Sequence, residues 1–333
     1  MHDLPQILIW HQKIFSQLYA AYLNKRFAHA LLFVGAKGIG KTTFATQFAN
    51  LIFCNYAVGP TDKQSKIYCG TCKNCHLLKA NTHPDLLYIT AKNNTISIDN
   101  IRELTNEFVT TPQIANYKIA IINNAEYLNV NAANALLKTL EEPLGNKIII
   151  LISENKNLLP QTVISRCKTI NFSTPNIELA KSFLLENGIA NEKINLLLML
   201  ANGAPLQALN LHKSDFLLLH LNIVNQLCDF AVTKKNIISL AAEYNKLDIE
   251  LLFTSLLNIL QDLIYLKVSA EQTRIINSDN MAQFQKIVSK CNTQDLFLLY
   301  DFLLQNRLQI KMYNLNKQLV IENFLAQWMQ KIC

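Results

Sequence analysis

Apolar residues along this chain change period part-way, and the change divides it. From His29 onward an apolar run, a glycine-rich turn and a helically spaced segment follow one another. Ala30 to Val34 predicts a buried strand and Thr42 to Phe53 the helix after it. Lys118 to Ile122 and Lys147 to Ile152 predict second and third buried strands; between them Asn131 to Glu142 has helical spacing, with Pro143 to stop it. Strands alternating with helices imply an α/β domain with a largely parallel sheet. After Phe172 the strand signals fade, and Asn176 to Asn210 predicts short helices broken at Gly188 and at Gly203 with Pro205, as in a small helical lid. Beyond His212 the chain is rich in leucine. Leu252, Leu256, Ile259, Leu263 and Leu266, spaced four, three, four and three apart, form one apolar stripe on a helix. The stripe suits an all-helical third domain, as an oligomerisation seam or, more ordinarily, as intradomain core. The expected boundaries are 1–172 for the α/β domain with a cysteine-bearing insertion, 173–212 for the lid and 213–333 for the helical domain.

Composition adds little to this division. With 333 residues, 50% of them apolar, the chain can bury two or three cores. Lys plus Arg is 31 against 24 for Asp plus Glu, an excess compatible with a polyanionic partner without demanding one. Met1 to Gln6 carries no basic patch ahead of an apolar stretch, and unbroken apolar runs such as Ile148 to Ile152 are too short to span a bilayer. The expected location is the cytoplasm.

Gly35-Ala36-Lys37-Gly38-Ile39-Gly40-Lys41-Thr42 satisfies the P-loop pattern between a predicted strand and a predicted helix. Gly35, Gly38 and Gly40 would let backbone N–H groups wrap phosphates at a helix N-terminus. Lys41 would meet the β and γ phosphates and Thr42 would hold Mg²⁺, with Thr43 also among the expected nucleotide-binding residues. The competing reading is a loop retained for folding alone. A P-loop ATPase needs acids at the end of a neighbouring strand, yet the second strand ends in Asn123-Asn124. An amide is neither a general base nor a counter-charge for Mg²⁺. Glu126, the nearest acid, lies two residues beyond Asn124 and reads as too far along to substitute. The expectation is binding of ATP or ADP without efficient hydrolysis.

Cys54, then fourteen residues, then Cys69-x-x-Cys72-x-x-Cys75 places four thiols at metal-ligand spacing. Four thiolates leave no open position, so the expected ion is a structural Zn²⁺; a redox couple would need no third and fourth thiol. His76 and His83 should face solvent or pack locally, and Cys167, Cys228, Cys291 and Cys333 have no such company.

Asn131-Ala132-Ala133-Asn134-Ala135-Leu136-Leu137-Lys138-Thr139-Leu140-Glu141-Glu142-Pro143, followed by Leu159-Pro160 and Ser165-Arg166-Cys167, resembles the bacterial clamp-loader ATPases of the AAA+ class. The P-loop, the cysteine loop, His29-Ala30-Leu31-Leu32-Phe33 and His83-Pro84-Asp85 match the same family in order, so the resemblance covers about the first half of the chain. Beyond it only helical character and Asn316 to Glu322 match. The resemblance implies an AAA+ domain, a lid and a helical collar, with Arg166 an arginine finger acting on the ATP site of a neighbouring subunit. An isolated arginine would instead be read as a salt-bridged surface residue. The sensor threonine of the family corresponds to Ser153, which keeps a hydroxyl, and its sensor arginine to Leu206. A chain with the finger but without the acids resembles the delta-prime kind rather than tau or gamma. The implied partners are the tau/gamma and delta subunits, the sliding clamp and, through the complex, primed DNA. An active motor subunit is the alternative; a small-molecule kinase, which would leave the cysteines and Arg166 without purpose, ranks last.

Overall fold

The computed structural model describes residues 7–57, 68–91, 95–142, 145–233, 236–269, 275–313 and 315–332. Met1 to Gln6, Pro143 and Cys333 therefore lie outside the described residues. The chain falls into two compact units, Met1–Ser182 and Phe183–Cys333.

In the first unit β1 (Ala30–Val34), β2 (Leu86–Thr90), β3 (Lys118–Asn123), β4 (Lys147–Ser153) and β5 (Lys168–Asn171) form one sheet in the order β2-β3-β4-β1-β5. Every pairing is parallel. The three interior strands are buried almost throughout, because helices cover both faces, and so they read as unbroken apolar runs. The edge strands are half exposed and mixed in sequence, Leu-Leu-Tyr-Ile-Thr and Lys-Thr-Ile-Asn, and carry no such signal. Helix Ile98–Val109 also lacks a long apolar run; Ile101, Leu104 and Phe108 bury one stripe, and a capping box between Ser97 and Asn100 starts it.

On one face, Leu32, Ala120, Ile122, Ile149 and Leu151 pack with residues of helices Ile98–Val109 and Val130–Glu141. On the other, Phe33 meets Phe44 of helix Lys41–Phe53 and Phe172 at ring separations of 5.5 and 5.1 Å, and Phe44 meets Phe15 at 5.4 Å. His11 is buried in this aromatic group, 5.0 Å from the Phe172 ring. At the end of helix Ile98–Val109, where carbonyls lack partners, Lys118 Nζ donates to Glu107 O (2.9 Å) and Lys147 Nζ to Val109 O (2.5 Å). Two buried ammonium groups thus meet the negative end of the helix dipole.

The second unit is helical. Ile177–Glu186, the helix at the boundary of the units, is followed by Asn191–Leu200 and Pro205–Lys213, with Gly188 and Gly203 at the expected breaks. The six helices described from Phe216 onward then share one core, to which Leu252, Leu256, Ile259 and Leu263 contribute and against which Leu266 packs. The stripe is intradomain core. By length and composition, helices Phe216–Thr233 and Ile249–Val268 are apolar enough to cross a membrane, against the expectation that no apolar stretch of this chain is. Ile223, Val224, Leu227 and Phe230 in the first, and Leu252, Leu256, Ile259 and Leu263 in the second, are buried in this core.

Within it, His220 bridges Ser255 Oγ (Nδ1, 2.6 Å) and Asn277 Oδ1 (Nε2, 2.8 Å), and Asn277 Nδ2 donates to Asp262 Oδ2 at 2.8 Å. Burial pushes His220 down to about 4, and burial with the nearby Lys41 charge does the same to His11. Both imidazoles therefore fold neutral. Their contribution to stability is present above the unfolded value of about 6.5 and lost as pH falls toward 4, about 3 kcal/mol for each group. Asp262, raised by burial, acts in the opposite sense. Thermal melts from pH 7 to pH 4.5 should show a steep fall in midpoint, shallower in His220→Gln; a flat profile would contradict this reading.

Candidate functional site

The ends of β1, β3 and β4 meet at one edge of the sheet, since Val34 pairs with Ser153 and Ile122 with Leu151. The loop Gly35–Gly40 leaves β1 there and opens helix Lys41–Phe53. Gly35 has no room for a side chain: a Cβ would lie 2.3 Å from Phe172 O and 2.6 Å from Ile39 Cδ1. Trp10 Nε1 ties the far side of the loop by donating to Ile39 O at 3.0 Å. Lys41, almost fully buried, donates to Gly35 O and Ala36 O at 2.5 and 2.8 Å, bonds that an entering phosphate would replace. Burial lowers its pKa, while Glu154 and Glu126 pull it back.

Thr42 Oγ1 donates to Asn123 Oδ1 at 3.0 Å, so the amide at the end of β3 faces the hydroxyl assigned to Mg²⁺. Asn124 is in the left-handed region, with φ 55°. Asn tolerates this conformation better than Glu does, so the backbone suits the amide. Thr43 lies in the first turn of the helix. Ser153 is buried at the end of β4, where its hydroxyl exchanges hydrogen bonds with Asn155 N and O at 3.2 and 3.1 Å. Leu206 lies on helix Pro205–Lys213 in the other unit.

Sequence distance alone does not place Glu126. A short 3₁₀ turn, Ala125–Tyr127, returns its side chain to these strand ends, buried, with Oε1 accepting from Glu154 N at 3.4 Å and Oε2 without a hydrogen-bond partner. Burial raises its pKa. No residue pattern distinguishes this acid from a surface one; its placement depends on the turn.

The four cysteines converge. Cys54 ends helix Lys41–Phe53, Cys72 precedes helix Lys73–Lys79 and Cys75 lies within it, and the four sulfurs are within 4.8 Å of one another. Tetrahedral thiolates about 2.3 Å from a zinc ion would stand about 3.8 Å apart, and Cys69 Sγ lies 3.9 Å from Cys75 Sγ. Gly70 turns the loop at φ 73°. Cys69 is held down to about 6 because, against its desolvation, the Thr71 and Cys72 amides favour its thiolate. Burial raises Cys54 and Cys75, a conflict that a bound cation would relieve. Asn74 Nδ2 donates to Phe53 O at 2.7 Å, fastening the loop to the P-loop helix. His83 stacks on Phe53 at 4.4 Å, and His76 is exposed. Cys228 and Cys291 are buried in the helical core, and Cys167 packs on the sheet core.

The remaining member of His83-Pro84-Asp85 has its own task. Buried Asp85 accepts from three successive backbone amides, Gln113 N (2.7 Å), Ile114 N (2.9 Å) and Ala115 N (2.8 Å). Despite its burial these bonds lower its pKa.

Arg166 follows helix Gln161–Ile164 on the connection to β5. It pairs with Glu141, Nη2 at 2.5 Å and Nε at 2.6 Å from the same oxygen, Oε1.

An all-parallel sheet in this order, with a glycine-rich loop between β1 and the next helix, is a P-loop fold of the AAA+ class. The family model described as DNA polymerase III, delta subunit, matches residues 10–176, and its C-terminal counterpart matches 214–330. The chain is 30% identical to DNA polymerase III subunit delta' of Pseudomonas aeruginosa, over 98% of each chain. It is 32% identical to the Haemophilus influenzae subunit delta' over 65% of each. Subunit tau of Bacillus subtilis is 36% identical over only 50% of this chain and 28% of its own. The chain belongs to the DNA polymerase III delta' subunit family.

Proposed function

We propose that this chain is a non-motor subunit of the bacterial clamp loader, binding nucleotide without turning it over and lending Arg166 to a neighbouring ATP site. The observation that carries this reading is the 3.0 Å contact of Thr42 with Asn123, an amide where hydrolysis calls for a carboxylate. Membership of the delta' family supports the same reading. The proposed nucleotide ligands are Gly35, Gly38, Gly40, Lys41, Thr42, Thr43 and Ser153, with ATP or ADP and Mg²⁺ as occupant. The proposed partners are the tau/gamma and delta subunits, the sliding clamp and, through the complex, primed DNA, all in the cytoplasm. The cysteine cluster is proposed to hold structural Zn²⁺. Residues 1–172, 173–212 and 213–333 are proposed to act as AAA+ domain, lid and collar, with exposed apolar residues such as Leu218, Phe297 and Leu298 on the collar available to neighbours.

The buried position of Glu126 keeps a motor reading in play, and one experiment separates the two. The isolated chain should bind ATP and hydrolyse it at background rate. Lys41→Ala should weaken binding roughly tenfold to a hundredfold, the worth of charge-assisted hydrogen bonds to phosphate. The chain should also join tau/gamma and delta in reconstitution. Robust turnover by the isolated chain would establish the motor reading instead.

A further inference from the structure

Resting on the finger reading of Arg166, we propose that Glu141 is the positioning residue that holds the Arg166 guanidinium in its working orientation. Glu141 is the last residue of helix Val130–Glu141, and the chain returns to it 25 residues later. Four hydrogen bonds hold the guanidinium. Nη2 and Nε donate to Glu141 Oε1, while Nη1 donates to Thr162 O (2.9 Å) and Ser165 Oγ (3.4 Å).

This network has little value for the fold. The Arg166 and Glu141 side chains are 34% and 48% exposed, and pairs so open to water add little stability. What it fixes is direction. A free arginine samples many rotamers, and ordering it during the reaction would subtract from the charge stabilisation it provides. The pattern of donors also leaves the finger usable. A guanidinium has five N–H donors, and these four bonds leave one on Nη2. Since both bonds to Glu141 converge on one oxygen at the Nε–Nη2 edge, the remaining Nη2 N–H can reach a phosphate oxygen while the pair stays intact. Glu141 therefore acts as a standing support and need not release the arginine.

The test uses the complex reconstituted with tau/gamma and delta, with clamp and primed DNA present, and follows ATPase rate against ATP concentration. Glu141→Ala should lower kcat at nearly unchanged KM, by no more than Arg166→Ala does, because a misplacement of about 1 Å can cost a hundredfold where a group acts while the unaffected ATP sites limit the loss to the share of the one site that Arg166 serves. Glu141→Gln, which keeps an acceptor oxygen, should recover much of the rate. In an Arg166→Ala background Glu141→Ala should change nothing further. A full rate in Glu141→Ala, with Arg166→Ala slow, would reduce the pair to a surface salt bridge. Equal losses in both backgrounds would show that Glu141 acts elsewhere. A wild-type rate in Arg166→Ala would overturn the finger reading, and this inference with it.

Discussion

Replacing Arg166 by alanine will slow ATP turnover and clamp loading by the reconstituted complex while leaving this chain's own stability and nucleotide affinity nearly unchanged. A planar guanidinium with several N–H donors suits the charge that spreads over a transferring phosphoryl group. Finger arginines are worth on the order of a thousandfold or more where they act. On the proposed reading this chain serves one ATP site among several, so the observed loss will be smaller than that. The 34% exposure of its side chain means that truncation opens no cavity and leaves no buried acceptor alone. Assembly should survive, which size-exclusion chromatography of the mutant complex can check. Loading at the wild-type rate would remove the catalytic part of the proposed function and leave family membership untouched.

The second large effect concerns the cysteines. Elemental analysis of freshly prepared, reduced protein should find about one zinc per chain, as a single four-thiolate site requires. Structural zinc sites contribute on the order of 10 kcal/mol of apparent binding free energy near neutral pH. Chelation should therefore destabilise the first unit by several kcal/mol, seen as a lower melting midpoint that added zinc restores. Cys72→Ser should loosen the loop between Cys54 and Lys79 while ATP binding persists, because the P-loop is at the opposite end of helix Lys41–Phe53 from Cys54. Metal-free protein with an unchanged midpoint would refute the assignment.

The parts of this structure legible in sequence are those whose chemistry is local or whose burial is complete. β1, β3 and β4 announce themselves because both of their faces are covered. The P-loop does so because its glycines occupy fixed offsets, and the cysteines because ligand spacing is short. The edge strands β2 and β5 escape notice because half exposure admits Tyr88, Thr90 and Lys168 among apolar residues. The placement of Glu126 is hidden for a related reason: counting residues along a strand does not anticipate a turn that folds the chain back. The partnership of Arg166 with Glu141 is equally invisible, since the two are joined by tertiary packing.

Asp85 gives the first unit a second anion cradle, and this one is permanently filled. The P-loop assembles backbone amides around a guest that can leave. The amides of Gln113, Ile114 and Ala115 surround a carboxylate that cannot, because it is covalently part of the neighbouring strand connection. The chain thus carries, just ahead of β3, a built-in counterpart of the phosphate proposed to bind beside β1.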